Sequence, residues 1–455
     1  MQPTRVLPSL VHRRAPSRLA TGVVVALAAS LPLAACVEHD PASPLPRSTQ
    51  PMQAIQPMQV RTEAVTVLSR SSTTVPLLTT VGGVDVYKSG LGSGMAFAPG
   101  AARSVYLLTD RGPNIDGINS SIKVFPVPSY APRIYRATYD GDRLQLNQEI
   151  ILHRPNGVTP LTGLPIPAGQ CGSTLEVAQA VDGSVIPPDD FGLDPEGIVA
   201  LADGTFWLSD EYGPFIAQYD ATGRELQRLS PCNGGLPEVY KLRRPNRGME
   251  GLTITPDGQW LVGIMQAPLE NPSSAGVRNI SQATRILFRH VATGATREYL
   301  YLLDAPTLQG NSEILALSDT RFLVLERDGN FLLGSPSAVV KRLYVADVSA
   351  ATDISVLGAL GAAPIGGNKT IEQASVSELL AAGIVPAKKG DVIDLLALGY
   401  PHDKPEGLAL VPGGGLLVAN DDDFGIGGAG GVLQQKLLPG TPGPDYVSIW
   451  RLKLR

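Results

Sequence analysis

A glutamate that opens a short apolar strand, followed by a tight turn and a second strand running into acidic residues, occurs four times in this chain. Repetition of this kind restricts the fold more than any other feature of the sequence. The clearest copy reads Asp194-Pro195-Glu196-Gly197-Ile198-Val199-Ala200-Leu201, then Ala202-Asp203-Gly204, then Phe206-Trp207-Leu208-Ser209-Asp210-Glu211. The others begin at Glu250-Gly251-Leu252, Glu313-Ile314-Leu315 and Glu406-Gly407-Leu408. A fifth, Ser93-Gly94-Met95-Ala96-Phe97, has serine in the glutamate's place and ends in Thr109-Asp110-Arg111-Gly112-Pro113-Asn114.

Asp203-Gly204 supplies the positive φ angles of a tight hairpin turn, so the flanking strands run antiparallel. Glu196 then lies at the same end of the hairpin as Asp210 and Glu211. Successive repeats stack in the same sense. One face should therefore gather Asp110, Glu196, Asp210, Glu211, Glu250, Glu313, Glu326, Asp328, Glu406 and the run Asp421-Asp422-Asp423. Arg111, Arg247, Arg327 and Lys404 sit within the same motifs. Carboxylates alone would repel one another, so the face calls for a bound cation, interleaved Arg and Lys, or raised pKa values. An oxyanion held between metal and arginine suits such a site.

After each inner hairpin a second alternating pair follows, as in Ile134 to Tyr139 with Asp140-Gly141-Asp142, and Ile216 to Tyr219 with Asp220-Ala221-Thr222-Gly223. Four antiparallel strands per repeat make a propeller blade, and the expected class is an all-β propeller. The segments 153–193 and 357–405 are long enough for further strands or insertions, and 371–383 reads as a short helix. Six blades fit this spacing best, with five and seven also compatible. Pairing an N-terminal strand near Ala64 to Leu68 with the last repeat would close the ring and remove an exposed edge.

Charged residues are only 17% and the formal net charge is -5, which gives no broad basic surface for nucleic acid. Arg13, Arg14 and Arg18 precede the apolar stretch Thr21 to Pro32, too short for a membrane span. Leu33-Ala34-Ala35-Cys36 resembles a bacterial lipobox, with Cys36 as the lipidated first residue; a plain signal peptide cut after Ala35 is the alternative. Residues 1–35 are then a signal peptide, 36–60 a Pro-, Gln- and Ser-rich tether, and 61–455 the propeller domain. Val37, where aspartate would retain such lipoproteins in the inner membrane, favours an outer-membrane anchor facing the periplasm or the cell surface. The expected form is a monomer. In an oxidising compartment the remaining cysteines, Cys171 and Cys232, are candidates for a disulfide, separate thiols being the alternative.

The motifs Thr109 to Asn114, Asp194 to Ile198, Ser209-Asp210-Glu211-Tyr212-Gly213-Pro214 and Arg247-Gly248-Met249-Glu250-Gly251-Leu252 resemble those of the phytase-like family, described as esterase-like activity of phytase. So do Leu325-Glu326-Arg327-Asp328 and Lys404 to Leu408, and the likeness runs from about Thr80 to Arg455. It implies a secreted or periplasmic β-propeller whose recurrent Glu and Asp residues carry phosphoester or phosphodiester hydrolysis. One departure is plain: the hairpin of Glu250 ends in Gly263-Ile264-Met265-Gln266, without an acidic pair.

Two readings of the glutamates compete. As catalytic groups, Glu196, Glu250, Glu313 and Glu406 would work at the mouth of a central channel, with Arg111, Arg247, Arg327 and Lys404 binding phosphate. Calcium or another divalent cation would sit on Glu196, Asp210, Glu211, Asp421 and Asp422, with Glu406 as a further ligand. As architecture, each glutamate would accept backbone N–H groups and fix neighbouring blades, and recurrence in every blade favours this. The acidic run could equally be a solvated loop. The histidines show no metal-ligand spacing, and only His402, close to Glu406, is a candidate acid or base. No Gly-x-Ser-x-Gly elbow occurs, and the loop 425–431 lacks the Lys-Ser/Thr of a phosphate loop. The expectation is a hydrolase of small phosphate mono- or diesters, and the alternative a non-catalytic binding or scaffolding propeller.

Overall fold

Each expected hairpin is present and extends to a four-stranded antiparallel unit. The computed structural model describes residues 65–454 except 74, 273–276, 278, 279, 305–309, 358–364, 366, 367 and 413. The predicted signal peptide, Cys36 and the tether lie outside the described residues. The chain is nearly all-β.

The first unit comprises Gly94–Phe97, Ser104–Leu108, Arg133–Asp140 and Arg143–Ile151. The second comprises Pro195–Ala200, Phe206–Asp210, Phe215–Tyr219 and Glu225–Leu229. Met249–Ile254, Trp260–Met265, Ala283–His290 and Thr296–Leu302 form the third. Gly310–Ala316, Arg321–Arg327, Lys341–Asp347 and Lys388–Asp394 form the fourth. The fifth takes Pro405–Leu410, Leu416–Asn420 and Ser448–Lys453 from the C-terminal region and completes itself with the N-terminal strand Thr66–Ser72. That last pairing is antiparallel, from Thr66 opposite Lys453 to Ser72 opposite Ser448, and gives the final strand the partner that the edge argument demanded.

The first strands of the five units are neighbours in cyclic order, the fifth lying beside the first. The core has the same order. One apolar cluster lies between each consecutive pair of units, for example Leu108, Ile134, Ile198, Phe206 and Leu208 between the first and second. Met95, Val105 and Leu107 meet Ala409, Leu417 and Ile449 between the first and fifth. The spacing favoured six units, whereas five occur among the described residues. The long segments account for the difference: 153–193 adds only Val177–Gln179, which joins Ile115–Asp116 and Ile122–Val124 in a small sheet. The segment 357–405 contributes the helix Val376–Ala381, capped by Ser375 and Glu378, and the last strand of the fourth unit.

The register explains the Glu-Gly pairs. Pairing shifts between Pro195 and Ile198, between Met249 and Gly251, and between Pro405 and Gly407, so a β-bulge sits at Glu196, Glu250 and Glu406. A bulge re-aims the side chain it carries. The glycine that follows lets the next first strand approach. A Cβ on Gly251 would stand 2.5 Å from the Ile314 nitrogen, and one on Gly197 would stand 2.4 Å from the Leu252 nitrogen. In the fourth unit the shift falls between Asn311 and Glu313, which makes Ser312 the bulged residue. Glu313 thus occupies the place that glycine holds elsewhere.

Candidate functional site

The bulged glutamates open onto a cavity of about 380 Å³ at the end of the ring where the second strands finish. Its carboxylates are Asp110, Asp116, Asp194, Glu196, Glu211, Glu250, Glu406, Asp421 and Asp423, and its cations are Arg111, Lys123, Arg247, Arg327 and Lys404. The hairpin argument therefore placed most of the acidic residues correctly on one face. Beneath them, apolar residues of all five first strands, among them Met95, Ile198, Leu252, Ile314 and Leu408, line a separate space of about 150 Å³.

Asp194, Glu196 and Glu211 each bring a carboxylate oxygen within 4.8 Å of the others, and all three are buried. Asp194 is partly committed, since one oxygen accepts the Arg111 N–H at 3.1 Å and the other lies 3.6 Å from the Arg111 Nε. The side chains of Glu196 and Glu211 accept no hydrogen bond from the described residues. Burial, then the charges of Glu250 and Asp194, push both carboxyls well above the usual range. Buried carboxylates in this state need a shared proton or a cation. Three hard oxygen donors fit calcium or a comparable divalent cation.

Glu250 has one oxygen on the Gln266 Nε2 at 2.5 Å and leaves Oε2 buried without a hydrogen-bond partner among the described residues. Burial pushes it up to about 7 against the lowering fields of Arg327 and Arg247. Glu406 pairs with Arg327, whose Nε also donates to the Ser312 Oγ at 3.0 Å. Burial still pushes Glu406 up to about 8, with Arg327 and Lys404 pulling the other way.

Among the predicted phosphate-binding cations, three are occupied. Arg111 is buried and donates to Glu176 at 3.0 Å and to Tyr212 and Asn246 at 3.3 Å. Arg327 is held by Glu406, and Lys404 by Asp423 and, at 3.1 Å, by Asp421. Arg247 is exposed and, among the described residues, its side chain hydrogen-bonds only the neutral Gln266 Oε1, at 2.7 Å.

Several predicted site residues stand elsewhere. Asp210 does not line the cavity: its oxygens accept the N–H groups of Asp194 at 2.9 Å and Gly213 at 2.8 Å. Asp422 accepts from Gly90 at 2.7 Å and Val447 at 3.0 Å and so ties the fifth unit to the segment that leads into the first. Burial pushes both of these carboxyls up to about 7. Glu313, one residue out of step, accepts the N–H of Leu252 at 3.1 Å and of Ile314 at 2.9 Å, and so staples the third and fourth first strands. These three serve the architecture. Asp421, also expected on the metal, lines the cavity but is bound to Lys404. Glu326 is taken by Tyr301 and Lys389, and Asp328 by the Val339 and Val340 N–H groups. His402 lies 2.6 Å from Asp445 and 2.7 Å from the Ser448 Oγ, but none of these buried groups lines the cavity.

Asp194 is the main site residue that sequence reasoning missed. It stands two residues before Glu196, at a place where the other repeats carry Gly248 and Lys404, so no recurring acidic residue marks it. Glu176 and Asn246 belong to no repeated pattern, and Gln266 stands where the repeat elsewhere carries an acidic residue. Cys171 and Cys232 are joined by a disulfide, and Cys171 packs beside Tyr212, whose hydroxyl supports Arg111.

Residues 88–424 match the profile of the Phytase-like family, described as esterase-like activity of phytase. A relative from Arthroderma benhamiae, called an uncharacterized secreted protein, is 30% identical over 237 residues. The match covers 41% of this chain and 46% of that relative, so the chain spans about half of its length. Among solved structures, an α-L-arabinofuranosidase from Podospora anserina is similar at 9% identity and a TM-score of 0.37, over 85% of this chain and 97% of that one. A virginiamycin B lyase from Staphylococcus aureus is similar at 11% identity and a TM-score of 0.29, over 86% and 100%. No helix among the described residues is long and apolar enough to cross a membrane. With its acidic motifs gathered at one cavity and the profile spanning most of its length, the chain belongs to the Phytase-like family.

Proposed function

We propose that the protein is a metal-assisted hydrolase of small phosphate mono- or diesters, built on a closed propeller of five blades and exported as a lipoprotein through Cys36. The observation that carries this reading is the buried trio Asp194, Glu196 and Glu211, two of whose side chains accept no hydrogen bond from the described residues although they line an open cavity. Calcium or a similar cation bound there would polarise a phosphoryl oxygen and favour ionisation of an attacking water.

The chain's own residues supply the rest. Arg247, at the rim, is placed to hold a phosphoryl oxygen, and its planar fork matches that anion. Glu250 and Glu406 face the same space with carboxyls held near neutrality. At that value either can carry a proton to a leaving oxygen or take one from water. The walls are narrow and polar, which suits a small substrate.

Turnover of bis-p-nitrophenyl phosphate and p-nitrophenyl phosphate, with calcium and with EDTA, tests the reading. Calcium-dependent release of nitrophenol that falls by about two orders of magnitude in Glu211→Gln is expected, in line with removal of one strong electrostatic group. Absence of EDTA-sensitive turnover on either ester would refute it and leave the binding or scaffolding alternative.

A further inference from the structure

The cavity sets nine carboxylates against five cations. Four of those cations are spoken for: Arg111 by Glu176, Lys123 by Asp116, Arg327 by Glu406, and Lys404 by Asp421 and Asp423. Arg247 alone among them has no ion pair with a described residue. The cause is local. The second strand of the second unit runs into Glu211 and that of the fifth into Asp421, but the second strand of the third unit runs into Gln266.

Gln266 is itself fixed. Its backbone N–H donates to the Gly248 carbonyl at 3.0 Å and its carbonyl accepts from the Asn311 N–H at 3.0 Å. Its amide can face only one way. The Nε2 must donate to the Glu250 carboxylate, so the Oε1 is left to accept from the Arg247 Nη1. A neutral side chain thus orients the arginine and leaves its charge uncancelled. A carboxylate at the same place would repel Glu250 and cancel Arg247.

We infer that Gln266 is a positioning and selectivity residue: it keeps Arg247 as the single available anion anchor among the described residues of the cavity, so the cavity accepts a substrate with one phosphoryl group and excludes polyphosphorylated ones. The inference rests on the phosphoester reading of the site. A ligand bearing many anionic groups would meet, among the described residues, one cation without an ion pair and a surplus of carboxylates. A ligand with one such group meets Arg247 beside the Asp194, Glu196 and Glu211 cradle.

Calorimetric titration of the calcium-loaded protein with phenylphosphonate and with inositol hexasulfate, neither a hydrolysable phosphate ester, separates this from the question of turnover. The wild type should bind phenylphosphonate about tenfold more tightly or better than the hexasulfate, and Gln266→Glu should weaken phenylphosphonate by about tenfold or more, the loss of one charge-assisted hydrogen bond. The same variant should bind calcium as tightly as the wild type or more so. Structural damage would lower both affinities together. Tighter binding of the hexasulfate, or unchanged phenylphosphonate binding in Gln266→Glu, overturns the inference. If Gln266→Glu does not fold, Arg247→Met decides: lost phenylphosphonate binding with calcium retained supports it, and retained binding refutes it. Binding of phenylphosphonate in a protein without esterase activity would uphold the anchor while removing the hydrolase reading.

Discussion

At the scale of residues, similar carboxylates have been put to different uses by one step of register. Glu196, Glu250 and Glu406 sit on bulges and face the cavity, whereas Glu313 falls on the following position and accepts two backbone N–H groups across a strand interface. Glu313→Ala should cost about 1–3 kcal/mol in denaturant unfolding, because it orphans two buried donors, whereas Glu313→Gln keeps an acceptor and should cost much less. Neither change should alter calcium affinity. A large loss of calcium binding in Glu313→Gln would return this residue to the site. The sequence could not reveal the slip, since Glu313-Ile314-Leu315 reads like Glu250-Gly251-Leu252 unless the missing glycine is taken as a sign of changed register. Asp210 and Asp422 stand away from the cavity for a related reason. Acidic residues at a strand end can turn toward solvent or cap nearby amides, and the adjacent Asp421 and Asp422 take different partners, Lys404 and the Gly90 N–H.

At the scale of elements, the glycine after each bulged glutamate is what allows five first strands to crowd around one axis. Gly251→Ala would force a methyl group to within 2.5 Å of the Ile314 nitrogen and the Glu313 carboxylate. Overpacking of that kind costs about 1–3 kcal/mol. Gly390 lies in a strand with nothing within 4 Å of its Cβ position, and Gly390→Ala should be nearly neutral. Thermal unfolding of the two variants side by side checks this, and equal effects would contradict the close-approach account. Hairpins, their shared polarity and the N-terminal closing strand were legible in the sequence because turn chemistry and alternation are local. Whether the long segments formed another unit was not, because segments 153–193 and 357–405 carry strand-like runs whose partners are set by tertiary contact.

At the scale of the whole molecule, the ring concentrates carboxylates whose protonation is linked to stability. Burial raises Glu250 to about 7 and Glu406 to about 8, so both bind a proton more tightly folded than unfolded. Their contribution is complete below the ordinary carboxylate value near 4.5 and is lost as pH rises through about 7 and 8. Glu196 and Glu211 are displaced in the same direction. The melting temperature of metal-free protein should therefore fall between pH 5 and pH 8, a window that spans those raised values, and calcium should reduce the fall. A metal-free protein more stable at pH 8 than at pH 5 would contradict this. The calcium effect depends on the cradle formed by Asp194, Glu196 and Glu211, which calcium titration of the wild type, Glu196→Gln and Glu211→Gln tests most directly. The account predicts one calcium per chain, with affinity reduced roughly tenfold or more in each variant; no calcium binding, or binding indifferent to both substitutions, would contradict it.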